Sequence, residues 1–347
     1  MAYVEILHSN GLTVTQWDED VFAEYIGMLW WKHLMGTSSS AVIQVKENLV
    51  KAPGDSLTIG LRGLMQGGKV TGDATGIGNE GTVAFYNQNI SIDNVRQLIR
   101  IVDVPMSQKR INFDLLQQSR EALTEKAQID LDQQITTDLS STASGRVQGR
   151  YLYGGADSNW NATHTTALTN VNNTTGQLTS AAIDIAKRKA LIPVNATAKV
   201  RPARIKNGQD FEQWYFIVAH PYCIRDLIQN DAAWKNAQLN IPPRSEDNVI
   251  FTGNSFKGAW DGTAIYEYDQ INLVSSTIQV AANLYLGAQA HAVVWGQRPK
   301  FGEEELDVGH TLVYEIHEIR GSSKLVFNRP TPEDQGVVHV FSAAVAD

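Results

Sequence analysis

The sequence feature that most restricts the fold of this chain is a glycine-rich stretch, residues 60–81. Eight of its residues are glycines. That is too many for a packed strand pair, because glycine has no side chain to pack and loses more conformational freedom on folding than any other residue. Alternating apolar residues precede the stretch at Leu57, Ile59 and Leu61 and indicate a strand. The region 53–95 is therefore predicted to be a long hairpin with an adaptable, protruding loop.

A second region has the apolar spacing of a long helix. From residue 112 to about residue 139, apolar side chains recur at helical spacing between Gln, Asp, Glu and Lys, at Leu116, Leu123, Ala127, Leu131 and Ile135. A helix of this length spans roughly 40 Å. Because it is long and polar on one side, it is predicted to lie along a domain and not inside one.

Shorter patterns complete the chain. A stretch rich in Ser, Thr, Asn and Gly, residues 140–178, predicts surface loops. The other predicted elements are helices at 180–190 and from Pro221 to Trp234, a strand at 214–219, a helix packed on a sheet at 288–294, and a terminal strand pair formed by 311–320 and 324–327 across Gly321. Together these elements predict an α+β fold class.

The first fifty residues carry aromatic side chains at helical spacing, among them Trp17 and Phe22, and Trp30 and Trp31 follow. A short amphipathic helix needs another surface to cover its apolar face. The segment is therefore predicted to be an arm that docks on a neighbouring copy. A helix packed on the chain's own core is the alternative.

Composition excludes several classes of protein. Hydrophobic residues make up 43% of the chain and charged residues 19%, which is ordinary for a globular protein. Cys223 is the single cysteine, so an intrachain disulfide is impossible. The net charge of -8 has the wrong sign for gripping DNA over a broad basic face. Neither a membrane-spanning run nor a secretory signal pattern is found, so the chain is expected to be made and used in the cytosol.

Two glycine motifs resemble nucleotide-binding loops. Residues 63–70 nearly match the phosphate-binding loop with Lys69 in place, but Val70 stands where Ser or Thr must bind magnesium. Residues 76–81 fit the dinucleotide pattern, yet the strand-like residues 82–86 follow where a helix is obligatory. A flexible loop is the better interpretation of both motifs, and a nucleotide-binding enzyme that uses Lys69 is a minor alternative.

No other pattern indicates catalysis. None of the eight histidines has the spacing with glutamate of a zinc peptidase helix. The acidic run 303–305 with Asp307 lacks calcium-loop spacing and predicts a solvated patch or ion pairs to a neighbouring subunit. The chain is therefore predicted to have no catalytic, cofactor-binding or metal-binding residues and not to be an enzyme.

Several blocks, taken in order along the chain, resemble a family of tailed-phage coat proteins, with N4-like phages as the nearest branch. The blocks are residues 52–59, 70–73, 89–93 with Arg96, 220–221 ahead of 225–227 and Trp234, 250–253, 260–267 and 286–290. They cover roughly residues 50 to 330 and keep the family's order.

This resemblance implies the Hong Kong phage type of capsid fold, and a function as the major capsid protein of an icosahedral head around double-stranded DNA. The implied parts are an N-terminal arm (1–50), an extended loop (51–95), a peripheral domain (96–194 and 296–347) with a spine helix at about 112–140, and an axial domain (195–295). The stretch 150–178 departs from the family pattern and is expected to be a surface loop or an insertion.

The resemblance also implies partners. Copies of the chain are expected to form the hexamers and pentamers of a shell in the bacterial cytoplasm, with scaffolding and portal proteins, optionally a decoration protein, and no membrane. The DNA inside is expected to be enclosed without sequence-specific binding. The residues expected between copies are Trp17, Phe22, Trp30, Trp31, Leu64, Met65, Gly67, Gly68 and Lys69. A cellular nanocompartment shell of the same fold is the main alternative.

Overall fold

The computed structural model describes residues 29–50, 53–73, 75–110, 115–142, 146–192, 194, 198–207, 210–239 and 255–345. The helices within these ranges are α1 (Val104–Arg110), α2 (Leu115–Ser140), α3 (His164–Thr169), α4 (Ser180–Leu191), α5 (Pro221–Asn230) and α6 (Ala232–Leu239). Short 3₁₀ turns lie at Trp30–Leu34, Asn48–Val50, Gln148–Arg150 and Asp157–Asn159.

The strands are β1 (Met35–Gly36), β2 (Ile43–Lys46), β3 (Ser56–Arg62), β4 (Phe85–Ser91), β5 (Asp93–Val102), β6 (Tyr151–Tyr153), β7 (Ala203–Asn207), β8 (Asp210–Ala219), β9 (Phe256–Trp260), β10 (Thr263–Glu267), β11 (Leu273–Ser275), β12 (Gln279–Leu286), β13 (His291–Leu306), β14 (Thr311–Lys324) and β15 (Val337–Ala343). Helices and strands mix along the chain, which confirms the α+β class.

The strands form three sheets. A five-stranded sheet has the order β1-β2-β13-β14-β5, and an antiparallel pair, β3-β4, stands apart from it. The third sheet has the order β6-β15-β12-β8-β10-β9, with β11 added on β12 and β7 on β8. Strand β15 is buried along its whole length and β12 along nearly all of its length, because helices and loops cover both faces of this sheet.

Helix α2 confirms the long helix expected near 112–140. The predicted stripe is the side it buries, from Leu123 through Leu131 to Ile135. Polar contacts fix the helix on β14: the Arg320 guanidinium, almost fully buried, lies 2.7 Å from the Asp130 carboxylate. A buried arginine next to a carboxylate holds two elements in one register, because leaving either charge unpaired in the interior is costly.

The helix predicted from Pro221 to Trp234 is interrupted at Asp231, which separates α5 from α6. Its backbone is extended, and its carboxylate accepts hydrogen bonds from the N–H groups of Trp234 at 3.0 Å and Ser180 at 2.6 Å. One aspartate therefore caps two helices, α6 and α4. The helix predicted at 180–190 is confirmed as α4.

The helix predicted at 288–294 is wrong. The chain turns at Gln289, in the left-handed region at φ 60°, and enters β13 at His291, where it pairs with β2 on one side and β14 on the other. A short apolar run buried on both faces has no periodicity that separates a strand from a helix. Pairing on both sides decided its structure.

The terminal hairpin predicted across Gly321 is also wrong. β14 runs through Gly321 without turning, and its partners are β13 and β5. Glycine is needed at 321 because a Cβ there would collide with the carbonyl oxygen of Ser91, so this glycine allows a close backbone approach inside a strand. The last strand, β15, belongs to the eight-stranded sheet.

The segment 29–50 is part of the body of the protein. Trp31 and Ile43 are fully buried, and Leu34 and Val42 nearly so. Within the predicted arm, 1–50, the described residues thus pack on the chain's own core, as the alternative interpretation of the aromatic cluster held. Residues 1–28, with Trp17 and Phe22, lie outside the described residues.

Candidate inter-subunit surfaces

The glycine-rich stretch forms the outer part of the β3-β4 hairpin. The two strands pair from Ser56 opposite Ser91 to Arg62 opposite Phe85. Beyond them Gln66 and Thr82 exchange two backbone hydrogen bonds, of 2.8 and 2.6 Å. The hairpin predicted from the sequence is confirmed, and its ladder reaches further into the glycine stretch than the strand bounds suggest.

Gly67 explains why this turn needs glycine. A Cβ on Gly67 would collide with the Cα of Gly81, whereas one on Gly81 would collide only with the end of the flexible Met65 side chain, which can move aside. Gly67 also has a φ of 149°, which other residues rarely adopt. The two arms of the loop therefore pass each other at backbone contact, which narrows the loop just past the Gln66–Thr82 pair.

Large apolar side chains at the outer part of the hairpin lie in solvent. Leu64 is 90% exposed, Ile77 84% and Met65 64%. Lys69 and Gly68 are exposed beside them. Contiguous exposed apolar groups on a soluble chain mark an interaction site. The sequence pointed to Leu64 and Met65 but passed over Ile77, since glycines surround it and no apolar periodicity draws attention to it.

One glutamine on β4 adds four hydrogen bonds to the base of the hairpin, where Leu61 and Ile90 also pack against Leu325 and Phe327. The Gln88 amide nitrogen donates to the Lys324 carbonyl at 2.8 Å and to the Ser323 hydroxyl at 3.0 Å. Its amide oxygen accepts from the N–H groups of Val326 at 2.8 Å and Phe327 at 3.0 Å. The Gln88 amide therefore bonds mainly to backbone groups, as a peptide group of a neighbouring strand would, and joins β4 to the segment after β14. Nothing in the sequence singles this residue out.

The segment after β14 is itself held by a buried ionic cluster. Asp334 pairs with Lys324 at 2.8 Å and with His339 at 2.9 Å, and Glu333 pairs with Arg329. Burial is the largest single influence on the pKa of Asp334 and raises it. The hydrogen bond from His339 and the charge of Lys324 together outweigh burial, so the pKa lies below its ordinary value. Burial lowers the pKa of His339, against the pull of Asp334. The hairpin base is thereby connected to the core through Gln88 and this cluster.

The predicted contact residues Trp30 and Trp31 do different things from those expected. Trp31 is fully buried and its indole N–H donates to Thr136 on α2 at 3.2 Å, so it is not available to a neighbouring copy, and that part of the prediction is wrong. Trp30 is partly buried and stacks on Tyr268 at 4.3 Å. An indole that finds a buried partner for its N–H belongs to a core.

Asp132 on α2 receives this aromatic turn. Its carboxylate accepts the backbone N–H of Trp30 at 3.1 Å. Burial raises the pKa of Asp132 to about 6, and the hydrogen bonds from Trp30 and Trp31 oppose the rise. The turn 30–34 is therefore fixed on the long helix by a carboxylate whose charge is disfavoured there.

A second exposed surface lies at the far end of the five-stranded sheet. Val308, at the tip of the β13-β14 hairpin, is fully exposed with a φ of 53°, which is strained for a β-branched residue. Leu98 and Val102 on β5 are also more than half exposed. Of the acidic run, Glu303 pairs with Arg120 of α2 at 3.1 Å. The sequence singled out this run for its charge and missed the apolar residues beside it.

The structure gives no support to the nucleotide motifs. In the described residues between 70 and 84 there is no helix to follow either motif, and Lys69 lies in solvent. No group of three or more acidic, histidine or cysteine side chains in the described chain is arranged to hold a metal ion. Burial raises the pKa of Cys223 to about 11, which makes its thiol unreactive. No helix among the described residues has the length and apolar character to cross a membrane.

Comparison with known proteins decides what these surfaces belong to. The model of the phage capsid protein family matches residues 6–346. The chain belongs to the phage capsid protein family. It is the major capsid protein of a tailed-phage head, a structural protein of the virion that self-assembles into the shell. This assignment sets aside the nanocompartment, and the proteins of the matching family and of the similar structures are structural proteins.

Solved structures show that this capsid protein has a phage capsid fold. It is similar to the capsid asymmetric unit of cyanophage Pam1, with 21% identity, a TM-score of 0.76, and 91% of this chain and 92% of that chain covered. Against the capsid of Ralstonia phage GP4 the identity is 23% and the TM-score 0.75, with 92% of each chain covered. Against the acidic stable capsid of Helicobacter pylori bacteriophage KHP30 they are 14% and 0.66, with 89% of each covered. No curated protein matches the chain.

Proposed function

We propose that this capsid protein joins its neighbours through the outer part of the glycine-rich hairpin, residues 63–84, which lies on an adjacent copy in the shell. The single observation that carries the proposal is the exposure of Leu64, Met65 and Ile77 in the outer part of the hairpin, beyond its paired strands. A soluble chain rarely leaves such a group uncovered.

The expected energy of each contact is modest. Burying one Leu, Ile or Met side chain contributes about 1.5–3 kcal/mol, and ordering a glycine-rich loop and immobilising a subunit offset much of the gain from three such side chains. One hairpin therefore binds weakly. A closed shell repeats the contact at every subunit, and multivalency turns weak contacts into a stable assembly.

The domain plan that accompanies this proposal is the Hong Kong phage type. In it α2 is the spine helix, 51–95 the extended loop, 96–194 with 296–347 the peripheral domain, 195–295 the axial domain and 1–50 the arm, which packs on its own subunit from residue 29. The expectation of a surface loop at 150–178 is wrong, because this stretch contains the buried strand β6 and the helix α3; that it is an insertion remains part of the proposal. The conformational freedom of the glycines in the loop supports its proposed role, because the loop can adapt to the surface of an adjacent subunit. Trp17, Phe22, Gly67, Gly68 and Lys69 remain predicted contact residues.

The wider setting is proposed on the same basis. Copies form hexamers and pentamers in the host cytoplasm with scaffolding and portal proteins and, in some heads, a decoration protein, and they enclose double-stranded DNA without sequence-specific binding. The net charge of -8 supports a wall that does not adhere to the DNA. Membership of the N4-like branch is part of the proposal.

Shortening the hairpin tests the role of the loop. Gly63 and Ala84 face each other through a 2.8 Å backbone hydrogen bond, so a two-residue Asn-Gly turn can replace residues 64–83 and leave β3 and β4 paired. The expected product is folded, soluble protein that forms no shells by electron microscopy. Normal shells from this variant would refute the proposal.

A pair of double substitutions separates apolar contact from loop length. Leu64→Ser with Met65→Ser removes the exposed apolar groups and is expected to raise the subunit concentration needed for assembly. Leu64→Met with Met65→Leu keeps them and is expected to assemble normally. Equal assembly by both variants would mean that these side chains carry no contact.

A further inference from the structure

The outer edge of β3 has free backbone groups. Gly63 donates to the Ala84 carbonyl and Ile92 to the Asp55 carbonyl, so the odd-numbered residues of β3 form the hydrogen-bonded pairs with β4. The N–H and C=O groups of Thr58 and Gly60 therefore point away from β4. No hydrogen bond reaches these backbone groups from elsewhere in the described chain.

The two edges of the hairpin differ in this respect. On β4 the outward N–H of Asn87 donates to the Asn328 side chain at 2.7 Å, and the Asn87 carbonyl accepts the Asn328 N–H at 3.0 Å. The chain thus covers part of the β4 edge with its own segment. An open strand edge without such cover is a template for another strand.

A groove of about 310 Å³ runs beside the open edge of β3. Its walls are Thr58 and Gly60 of β3 and residues of the segment 39–48, and Leu325 and Phe327 contribute apolar surface. A Cβ placed on Gly60 would meet nothing within 4 Å, so the edge is accessible at that point.

Gln289 supplies a second, independent observation. Its side chain lines the groove, and its amide oxygen is buried with no hydrogen-bond partner in the described chain. Its backbone is in the left-handed region, at φ 60°, which is unfavourable for glutamine and persists only where the surroundings impose it. A buried acceptor without a donor is costly, and an N–H group entering the groove would satisfy it.

The charge of the groove restricts its occupant. Lys46 is the only charged side chain among the described residues that line it. An extended segment with one acidic side chain facing Lys46 would therefore complement the groove. Acidic residues outnumber basic ones in this chain, 37 to 29, so its copies carry such segments.

We infer that the groove beside β3 takes an extended, acid-bearing segment of a neighbouring copy of this chain, which adds to the open edge of β3 as a third strand. The added strand bonds to the backbone of Thr58 and Gly60, donates to Gln289 and places its acidic side chain against Lys46. This inference rests on the proposed shell function, since it assigns a second contact to the same assembly, at the base of the hairpin and not at its tip.

Photo-crosslinking between light and heavy copies tests the inference. A benzophenone amino acid replaces Asn48, an exposed residue that lines the groove, and the control carries it at the exposed Thr165 on α3. Assemblies of mixed isotope-labelled subunits are irradiated and the crosslinked peptides sequenced. The expected product joins the groove of one copy to an acidic peptide of another, well above the control.

Two pairs of variants examine the chemistry of the groove. Thr58→Pro removes the outward N–H and also fixes the backbone φ; it is expected to lower the crosslink yield about fivefold, the effect of one backbone hydrogen bond, whereas Thr58→Ala keeps the N–H and the yield. Lys46→Glu is expected to lower the yield and Lys46→Arg to keep it. The Lys46 pair decides the matter should Thr58→Pro fail to fold.

The failures of this inference and of the proposed function are distinct. Shells without a mixed crosslink overturn the inference and leave the function of the hairpin standing. A mixed crosslink in oligomers that never close into shells contradicts the proposed function alone. Crosslinks confined to one copy, crosslinks to another protein, or subunits that stay monomeric all overturn the inference.

Discussion

Replacing Gln88 with alanine should loosen the base of the glycine hairpin, leaving it held by the Asn87–Asn328 hydrogen bonds and by apolar packing on Leu325 and Phe327. The Gln88 side chain makes four hydrogen bonds, to the Lys324 carbonyl, the Ser323 hydroxyl and the N–H groups of Val326 and Phe327. At about 1 kcal/mol each, their loss destabilises this region by about 4 kcal/mol. Gln88→Glu keeps the acceptor oxygen but sets its other carboxylate oxygen against the Lys324 carbonyl, so it should cost at least the two lost hydrogen bonds, about 2 kcal/mol.

Hydrogen exchange is the direct assay for this change. In Gln88→Ala the amides of Val326 and Phe327 lose their acceptor and should exchange up to about 1,000-fold faster, since each 1.4 kcal/mol is a factor of ten. In Gln88→Glu these two amides should stay protected. Unchanged protection in the alanine variant would refute the view that this side chain anchors the hairpin.

Three further changes have definite expected results. Asp132→Asn should stabilise the subunit by up to about 3 kcal/mol at pH 8 and little at pH 4 in thermal unfolding, because burial raises the pKa of Asp132 from 3.8 to about 6, and ionisation above that pH then disfavours the folded state. Gly67→Ala should break the Gln66–Thr82 pair, seen as faster exchange of both amides, because its Cβ would collide with the Cα of Gly81 and a φ of 149° is unfavourable for alanine; unchanged exchange would contradict this. His339→Gln should flatten the loss of stability in urea as the pH falls below 6.5, because burial lowers the pKa of His339 and the unfolded chain takes up the proton first; an unchanged slope would exclude His339 as the source.

Periodicity was enough to predict the long helix and the hairpin. Leu123, Leu131 and Ile135 repeat at helical spacing over many turns, and Leu57 and Ile59 alternate beside turn residues, so each element carries its own signal. Each of these two elements buries one face, and that face is what the periodic apolar residues mark in the sequence. The long helix and the β3 strand were therefore placed within a few residues of their observed bounds.

Tertiary pairing decided the elements that local patterns missed. The run 288–294 is apolar on both faces because Val293 packs in the main core on one face and Val294 packs under the β3-β4 hairpin on the other, and its partner strand β2 is remote in sequence. Gly321 was interpreted as a turn because Gly321-Ser322-Ser323 separates two apolar runs, whereas here the glycine accommodates the close passage of Ser91. Such approaches depend on residues more than two hundred positions away.

The candidate contact residues also separate into those that a local pattern identifies and those that depend on tertiary contacts. Leu64 and Met65 were identified because nothing near them in sequence supplies a core for them. Trp31 was wrongly predicted to contact a neighbouring copy. An aromatic cluster has the same sequence pattern whether it packs on α2 of its own subunit or on another copy. Gln88 and Gln289 act through particular hydrogen bonds or their absence, which no residue pattern reports.

Cryo-electron microscopy of shells assembled from the purified protein tests the central claim most directly. Closed icosahedral particles are expected, in which residues 64–81 of each subunit lie against an adjacent copy and Leu64, Met65 and Ile77 are buried there. Particles in which that hairpin points into solvent or rests on its own subunit would contradict the account.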